Sequence, residues 1–438
     1  MIFACIVLAT IGVNNLETRQ GVPQRCRERA GRTADEWRIR TFTLTARGET
    51  VQPITKVVIL TAGYGEGHNQ VSQALQECLE RHEPLQVRVV DLFQETYPGL
   101  NAFVKFLYRN SRSSSFMGID YYGWSYHLTN ALPENSRLVQ WIYSFGSGGL
   151  KKLLDRERPD LVIYTFPYAA AYPAGTTERP RTATVVTDFV VHKRWLYAKP
   201  DWFFVATPAV KETLMQHAVS ENRIRVTGIP LRRRFTETNA SVEEKQSVLL
   251  MAGGCGTPRM IRRMIRELLL RLPDVRLDVV CGRDHVLERR LAGEWRNELW
   301  VNVHGFTEEM PRLMREAGCI VTKAGGVTLS EAIHAKVPIF ILNPSPGQEK
   351  ENARYLKSAG AAVVAFNEME LADEIERLFT SLDRMRFVNE QIAELRREAP
   401  ADEIVRHLLT HTGWRTTGEP EGGAAPRLLR IETNNGNP

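Results

Sequence analysis

Two series of short apolar runs, each followed by a turn and a helical segment, most strongly constrain how this chain can fold. The first run, Lys56–Ala62, is continuously apolar in its middle, which is typical of a strand buried on both faces of a parallel sheet. A glycine-rich turn, a helix over about residues 69–81 and a second strand at Val87–Leu92 follow it. This order predicts a βαβ unit, in which the two strands run parallel.

The same alternation continues in two groups, separated by a polar stretch at residues 236–247 that is typical of a linker. The further strands predicted in the first group are Leu161–Phe166, Thr182–Thr187, Trp202–Ala206 and Arg225–Thr227. Those predicted in the second group are Val248–Met251, Arg276–Cys281, Trp300–His304, Cys319–Thr322, Pro338–Leu342 and Ala361–Val364. One long helix from about Asp383 to Thr410 is predicted to close the fold.

These groups predict an α/β protein with two doubly wound, Rossmann-like domains that face a cleft. The first domain is placed at residues 54–235, the linker at 236–247, the second domain at 248–382 and the closing helix at 383–411. Residues 1–53 lack a sustained period and are expected to be a poorly ordered extension, and residues 412–438 a disordered tail. Ligands of such sheets bind beyond the carboxyl ends of the strands, so the turns there are the candidate sites.

The amino-acid composition further limits the class of protein to which this chain can belong. Apolar residues make up 43% and charged residues 25% of the 438 residues, as in soluble globular proteins. The six cysteines form no paired spacing, which indicates a reduced compartment and no structural zinc. The apolar start Met1–Val13 is too short to span a bilayer and lacks the basic start of a signal peptide, so we expect a cytosolic chain without a transmembrane helix.

The formal charge of +6 permits anionic partners. A nucleic-acid partner is not expected, because the sequence has no zinc finger, RNP motif or basic zipper. The basic run Arg232–Arg234 is interpreted as a solvated face.

The turn after the first strand contains Gly63, Gly65 and Gly67 and ends in His68. Glycines between a strand and a helix let the backbone turn tightly and approach a ligand. The turn is not a phosphate-binding P-loop, and it misses the dinucleotide fingerprint because Gln70 stands where a third glycine is required. His68 is a candidate general base for an incoming hydroxyl, and a capping or packing histidine is the alternative.

Two further turns suit a nucleotide and a sugar. The segment Lys323–Ala332 follows a strand and opens a helix, so its free N–H groups, Lys323 and Thr328 could hold a diphosphate and Glu331 a ribose. The segment Asn343–Asn352 gathers Gln348, Glu349 and Asn352 at a helix start, where amides and carboxylates suit a polyhydroxylated sugar. The alternatives are an ordinary capped helix and a solvent-facing turn.

Residues 101–152 combine eleven aromatic side chains with six basic and only two acidic residues. Aromatic and cationic side chains together suit the headgroup boundary of an anionic membrane. An ordinary aromatic core with solvated cations is the alternative interpretation.

The order of these motifs resembles glycosyltransferase family 28, and within it the diacylglycerol glucosyltransferases of bacteria and the plant monogalactosyldiacylglycerol synthases. The motifs that carry the resemblance are Ile59–His68, Thr187–His192, Thr227–Pro230, Lys323–Glu331 and Pro346–Asn352. They span about residues 56–395, in order and in both domains. The resemblance implies a GT-B fold and an inverting, metal-independent transfer from a UDP-sugar to a lipid hydroxyl, with no cofactor besides the donor.

The resemblance also assigns roles to residues. His68 matches the histidine that activates the acceptor on the glycine loop, to which Gly65 and Gly67 also belong, and Gly253 and Gly254 match a flexible loop that faces the phosphates. The donor contacts that it implies are Phe306 beside the uracil, Gly325, Gly326 and Thr328 on the diphosphate, Glu331 on the ribose, and Gln348, Glu349 and Asn352 on the sugar.

One position departs from the family pattern. Plant members have an aspartate where this chain has Gly63, so His68 lacks that acid, and Asp188 and His192 are the candidates to replace it. The chain also contains no Asp-x-Asp pair, which agrees with a metal-free reaction in which a helix N-terminus and Lys323 stabilise the leaving diphosphate.

The function that the resemblance implies is hexose transfer, with glucose favoured, to the 3-hydroxyl of diacylglycerol at the cytoplasmic face of a membrane. UDP-sugar, diacylglycerol and an anionic membrane surface are the expected partners, and the enzyme is expected to be peripheral. Two alternatives remain: a UDP-GlcNAc transferase that acts on a polyprenyl-linked peptidoglycan precursor, and a non-catalytic UDP-sugar sensor.

Overall fold

The computed structural model describes residues 43–44, 50–51, 54–63, 66–99, 101–102, 147–168, 179–196, 198–236 and 246–412. Most of the N-terminal extension, the interior of the linker and the tail after Thr412 lie outside these residues, as does most of the aromatic stretch. From the extension the structure describes a short antiparallel pair, β1 at Thr43–Leu44 and β2 at Thr50–Val51.

The first domain is built on a six-stranded parallel sheet. Its strands are β3 (Lys56–Thr61), β4 (Gln86–Asp91), β5 (Leu161–Tyr164), β6 (Arg181–Val185), β7 (Trp202–Val205) and β8 (Ile224–Val226). They are arranged in the order β4-β3-β5-β6-β7-β8, with Lys56 opposite Gln86 and Val57 opposite Leu161. The central strand β3 is almost completely buried, as its apolar sequence predicts.

Helices cover this sheet. They are α1 (Glu66–Leu79), α2 (Leu92–Thr96), α3 (Ser147–Glu157), α4 (Pro208–Gln216) and α5 (Arg233–Thr236). Helix α1 turns Val71, Leu75 and Leu79 inward at helical spacing, and all three are fully buried. Helix α4 begins where the Thr207 side chain accepts a hydrogen bond from the Val210 amide.

A second six-stranded parallel sheet forms the other domain. Its strands are β9 (Ser247–Leu250), β10 (Arg276–Val280), β11 (Val301–His304), β12 (Cys319–Thr322), β13 (Ile339–Leu342) and β14 (Ala362–Ala365). They are arranged in the order β11-β10-β9-β12-β13-β14. All twelve strands predicted for the two sheets are present, with ends within two residues of the prediction, and the two-domain α/β class is confirmed.

Each helix of the second domain except α12 follows the carboxyl end of one of its strands. They are α6 (Pro258–Arg271), α7 (His285–Glu294), α8 (Met310–Glu316), α9 (Gly326–His334), α10 (Gln348–Ser358), α11 (Glu368–Phe379) and α12 (Leu382–Leu395). A last helix, α13 (Pro400–His411), follows α12.

The prediction of one continuous helix over 383–410 is wrong. The chain breaks between α12 and α13, where Ala399 adopts a left-handed φ of 43° and Pro400 opens the next helix. Proline disfavours helical backbone in the residue before it and has no N–H for an internal helical bond, so a helix cannot run through this point undisturbed.

The break sends the chain back to the first domain. Helix α13 packs on α1, where Arg81 and Asp402 form an ion pair of 2.7 Å, and the His407 ring lies 5.5 Å from that of Phe204. Ile404, Val405 and Leu408 of α13 are fully buried. The last helix therefore belongs structurally to the first domain.

Candidate functional site

The strand orders reverse direction at one point in each sheet, and the candidate residues lie at these points. In the first sheet the reversal lies between β3 and β5, and in the second between β9 and β12. Loops that leave neighbouring strands in opposite directions open a crevice at such a point, which is where α/β sheets bind ligands. His68 follows β3, while Gly253 and Lys323 follow β9 and β12.

The glycine turn after β3 contacts both domains. The Gly63 amide donates a hydrogen bond of 2.9 Å to Asp91 at the end of β4. A Cβ at Gly67 would lie 3.3 Å from a methyl carbon of Val327 on α9, so the two predicted ligand turns touch across the cleft. Gly65 lies outside the described residues.

His68, in the first turn of α1, is held at one ring nitrogen. Its Nδ1 lies 2.7 Å from the Thr165 carbonyl oxygen and 3.2 Å from the Thr187 hydroxyl, and its ring meets Phe166 edge-on at 5.1 Å. A carbonyl oxygen only accepts hydrogen bonds, so the close contact assigns the proton to Nδ1. Nε2 then carries a lone pair, and it makes no hydrogen bond with any residue that the structure describes.

Burial lowers the pKa of His68 to about 4, against the smaller opposing effect of its bond to Thr165. The imidazole is therefore neutral at physiological pH. A neutral ring with an open Nε2 is the form that a general base requires.

Neither predicted substitute for the missing acid is hydrogen-bonded to His68. Asp188 accepts a hydrogen bond of 2.9 Å from the Asn352 amide, and the buried His192 accepts one at Nδ1 from the Arg194 amide. In this structure the backbone carbonyl of Thr165, rather than Asp188 or His192, lies beside Nδ1 of His68. Burial raises the pKa of Asp188 to about 6, with Glu349 as a minor cause and Asn352 opposing.

Asn352 joins the two domains through all parts of its amide. Besides Asp188, its Nδ2 reaches the Ala324 carbonyl at 3.0 Å, and its Oδ1 accepts from the Phe189 amide at 3.0 Å. The residue is fully buried. Its side chain therefore fixes loops on both sides of the cleft and has no exposed atom for a sugar.

Other contacts close the same seam. The Gln348 amide donates to the Val190 carbonyl at 3.1 Å, and the Phe189 and Tyr355 rings stack at 5.9 Å. Gly326, the first residue of α9, leaves no room for a side chain, since a Cβ there would lie 2.1 Å from the Thr187 carbonyl oxygen. Because Thr187 also touches His68, this seam brings the histidine next to the start of α9.

The start of α9 offers groups for an anion. Thr328 is part-exposed in its first turn, and its hydroxyl makes no hydrogen bond with any described residue. Lys323 lies before the helix, 3.5 Å from the carboxylate of Glu349. The N–H groups at a helix N-terminus carry partial positive charge, so Gly326 presents a further donor here, whereas the Gly325 amide donates to the Lys323 carbonyl at 2.9 Å.

Glu331, one turn into α9, is buried beside two arginines. Burial raises its pKa to about 7, while Arg232 and Arg234 favour its charged form. Both arginines are partly buried, so the interpretation of their run as a solvated face fails for these two. Their position next to Glu331 arises from the fold, and the sequence offers no periodic signal for it.

The base-side turn lies at the end of β11. Phe306 is 60% exposed, and the Arg283 guanidinium lies 5.0 Å from the centre of its ring. An exposed aromatic face of this kind can stack on a planar base. Gly253 packs so closely on the β10 end that a Cβ would lie 2.5 Å from the Cys281 carbonyl oxygen, and Gly254 ends the same 3-10 turn.

Three residues that hold His68 were not found from the sequence. They are Thr165, which supplies the carbonyl, Thr187, which supplies a hydroxyl, and Ser72, which is hydrogen-bonded to Thr165. Thr187 begins the motif Thr187–His192 that carries part of the family resemblance, while a backbone carbonyl such as that of Thr165 leaves no side-chain signal. Among the described residues, no group of three or more His, Cys, Asp or Glu could hold a metal ion.

Two family profiles match this chain in succession. Residues 68–231 match monogalactosyldiacylglycerol (MGDG) synthase, and residues 248–408 match the glycosyltransferase family 28 C-terminal domain. A processive diacylglycerol beta-glucosyltransferase of Bacillus cereus is 34% identical over 366 residues, which cover 81% of this chain and 93% of that protein. The chain belongs to glycosyltransferase family 28. It is therefore a glycosyltransferase, as its motifs predict.

Solved structures with the same architecture support the fold of this glycosyltransferase. A co-structure of S. aureus MnaA with UDP superposes with a TM-score of 0.55 at 15% identity, over 84% of this chain and 99% of that one. The glycotransferase of kitacinnamycin gives 0.54 at 15% identity, over 82% and 99%. At this identity the likeness concerns the fold alone, and the predicted GT-B architecture is confirmed. No helix in the described part of the chain is long and apolar enough to cross a membrane.

Proposed function

We propose that this glycosyltransferase moves a hexose, glucose in the first place, from a UDP-sugar to the 3-hydroxyl of diacylglycerol, with inversion and without a metal ion. The observation that carries the proposal is the neutral His68 with an open Nε2, held by Thr187 against the start of α9. A base and an anion-binding helix end then flank one cleft, as a single displacement requires.

The donor lies on the second domain in this proposal. The diphosphate binds the N–H groups at the start of α9, the Thr328 hydroxyl and Lys323, and these donors stabilise the negative charge that develops on the leaving UDP. Phe306 stacks on the uracil, and Glu331 accepts hydrogen bonds from the ribose. Gly253 and Gly254 form the loop that faces the phosphates.

The acceptor hydroxyl approaches from the first domain. Its oxygen attacks the anomeric carbon, the bond from that carbon to the UDP oxygen breaks, and the hydroxyl proton moves to Nε2 of His68. Attack opposite the leaving group inverts the anomeric configuration. Since the imidazole is neutral well below pH 7, no prior deprotonation is needed.

Two roles of the sugar-side residues follow from the contacts. Glu349 and Gln348 lie on the first turn of α10 and remain part-exposed, so they are the proposed sugar ligands. The side-chain amide of Asn352 already makes its hydrogen bonds at the interdomain seam, so we propose that it positions the loops rather than contacting the sugar.

The acceptor assignment rests on the relatives. The first domain matches the MGDG synthase profile, and the 34% identical Bacillus cereus protein is named as a diacylglycerol beta-glucosyltransferase. That name favours glucose over galactose. We propose peripheral association with an anionic membrane at its cytoplasmic face, for which the aromatic and basic stretch 101–152 is the candidate contact.

The test is mass spectrometry of lipids after incubation with diacylglycerol vesicles and, separately, UDP-glucose, UDP-galactose, UDP-N-acetylglucosamine and UDP-glucuronate. The expected result is a hexosyl-diacylglycerol formed from UDP-glucose and undiminished by EDTA, and the proton NMR spectrum of the purified product should show the coupling of a β-anomeric proton. Product only with a polyprenyl-linked peptidoglycan precursor would overturn the acceptor, and UDP binding without product from any acceptor would favour a sensor.

A second experiment tests the base. His68→Gln should lower kcat by at least about 100-fold, in the range of general base catalysis, and leave the Kd for UDP within about twofold. An equal loss of UDP affinity would place His68 on the donor side and refute its role.

A further inference from the structure

A pair of buried hydroxyl groups lies directly behind His68. Ser72 and Thr165 are both fully buried, and their oxygens are 2.8 Å apart. Ser72 lies one helical turn after His68 on α1, and Thr165 lies immediately after β5. The pair therefore bridges the helix that carries the histidine and the strand end that holds its ring.

Each hydroxyl also reaches a backbone carbonyl. The Thr165 Oγ1 donates to the Leu60 carbonyl at 3.1 Å, and the Ser72 Oγ lies 2.9 Å from the His68 carbonyl. With the Thr165 proton given to Leu60, Ser72 has one proton for two acceptors, and its shorter contact, 2.8 Å, assigns that proton to the Thr165 hydroxyl oxygen rather than to the His68 carbonyl. The network thus ties α1, β3 and β5 together at one point below the ring.

Thr165 also contacts the His68 ring through its backbone. Its carbonyl oxygen is the acceptor 2.7 Å from Nδ1, and its amide is bonded to the Leu60 carbonyl at 3.0 Å. A shift of Thr165 would therefore move the group that decides which ring nitrogen carries the proton. A histidine without a carboxylate partner depends on such a fixed backbone acceptor for its tautomer.

We propose that Ser72 and Thr165 are positioning residues for His68: their hydroxyl pair fixes the Thr165 carbonyl, and through it the tautomer and orientation of the imidazole. This inference rests on the proposed role of His68 as the base. Among the described residues no carboxylate is hydrogen-bonded to His68, so a backbone acceptor anchored by two hydroxyls supplies the orientation of its ring.

The experiment compares Thr165→Val with a matched substitution, Thr184→Val. Thr184 is also fully buried and lies on the neighbouring strand β6, but its hydroxyl has no hydrogen-bond partner in the described structure. Valine has the shape of threonine, so both variants remove only a hydroxyl. We expect Thr165→Val to lower kcat about 10-fold with the Kd for UDP unchanged, and Thr184→Val to keep the wild-type kcat.

The decisive readout does not depend on turnover. In ¹⁵N-histidine spectra, with the His68 signal assigned by its loss in His68→Gln, the wild type should show the proton on Nδ1. Thr165→Val and Ser72→Ala should both mix this signal with the other tautomer, and Thr165→Ser should restore the wild-type pattern and kcat.

Unchanged His68 signals in both Thr165→Val and Ser72→Ala would overturn the inference, as would an equal loss of kcat in Thr184→Val. If the wild type transfers no sugar to any acceptor, the proposed function fails, and the tautomer signals still decide whether the pair holds His68. If Thr165→Val does not fold, Ser72→Ala carries the same comparison.

Discussion

Two adjacent glycines at the start of α9 offer a sharp test of the closed cleft. A Cβ at Gly326 would lie 2.1 Å from the Thr187 carbonyl oxygen and 3.1 Å from the Asp188 Cα, both in the first domain. Carbon and oxygen in contact need more than 3 Å, so Gly326→Ala forces the domains about 1 Å apart at this point. At Gly325 the nearest atom is a Lys323 carbon at 3.8 Å, so the same substitution fits.

The cost follows from the packing. Overfilling a closely packed site costs about 1–3 kcal/mol. Because the clash exists only when the domains meet, this free energy should lower the population of the closed arrangement about 5- to 150-fold. Gly325→Ala changes a helix N-cap that has no side-chain bond to lose, at a cost of roughly 0.5 kcal/mol.

The assay is distance-dependent fluorescence between dyes on Glu212 of α4 and Arg377 of α11, two exposed helix positions, together with kcat at saturating donor. Gly326→Ala should lengthen the interdye distance and lower kcat, while Gly325→Ala should keep the wild-type distance. The same distance in both variants would refute the contact between Gly326 and Thr187, and with it the closed cleft.

Four other changes have expected outcomes. Asn352→Ala removes two interdomain hydrogen bonds and one to Ala324 within the second domain, each worth about 1 kcal/mol, so urea unfolding should show a loss of roughly 2–4 kcal/mol, and an unchanged midpoint would contradict the seam. Burial raises the Asp188 pKa to about 6 from an ordinary value of 3.8, so the folded carboxyl keeps its proton longer than the unfolded one and wild-type stability falls as pH rises between these values. Asp188→Asn should therefore gain stability over wild type from pH 4 to pH 7, and a constant difference in urea midpoint would contradict this. Because the His68 pKa is about 4, kcat/KM of the wild type should show no acid limb near pH 6.5 that comes from this residue. A wild-type acid limb near pH 6.5 that disappears in His68→Gln would contradict the lowered pKa. Thr328→Val should lower kcat about 100- to 1,000-fold if its free hydroxyl meets the leaving diphosphate, and a wild-type kcat would exclude that contact.

The architecture was accessible from the sequence because its signals are local. Strands such as β3 and β12 are short apolar runs bounded by glycine or polar turns, and burial on both faces of a parallel sheet selects for such runs. The prediction of one long C-terminal helix failed although its contrary signal is also local: Pro400 is present in the sequence and marks the break.

Only part of the candidate site could be predicted from the sequence. The glycines, His68 and the start of α9 were predicted because their residue types, at the ends of predicted strands, indicate their roles. The Thr165 carbonyl that holds His68 is a backbone group, and the seam made by Asn352 joins residues more than 160 positions apart. Such contacts depend on how two folded domains meet, which no local pattern encodes.

The return of the last helix to the first domain also limits how this enzyme opens. The chain crosses between the domains once after Thr236 and again between Leu395 and Pro400. The two domains are therefore joined by two chain segments, which act as two hinges. A swing about the line through both crossings is the easy motion, whereas twisting or sliding would strain one of them. The second crossing packs against the turn before α5, where a Cβ at Gly228 would lie 3.0 Å from Arg397 and 3.3 Å from Pro400, so the first domain anchors this crossing.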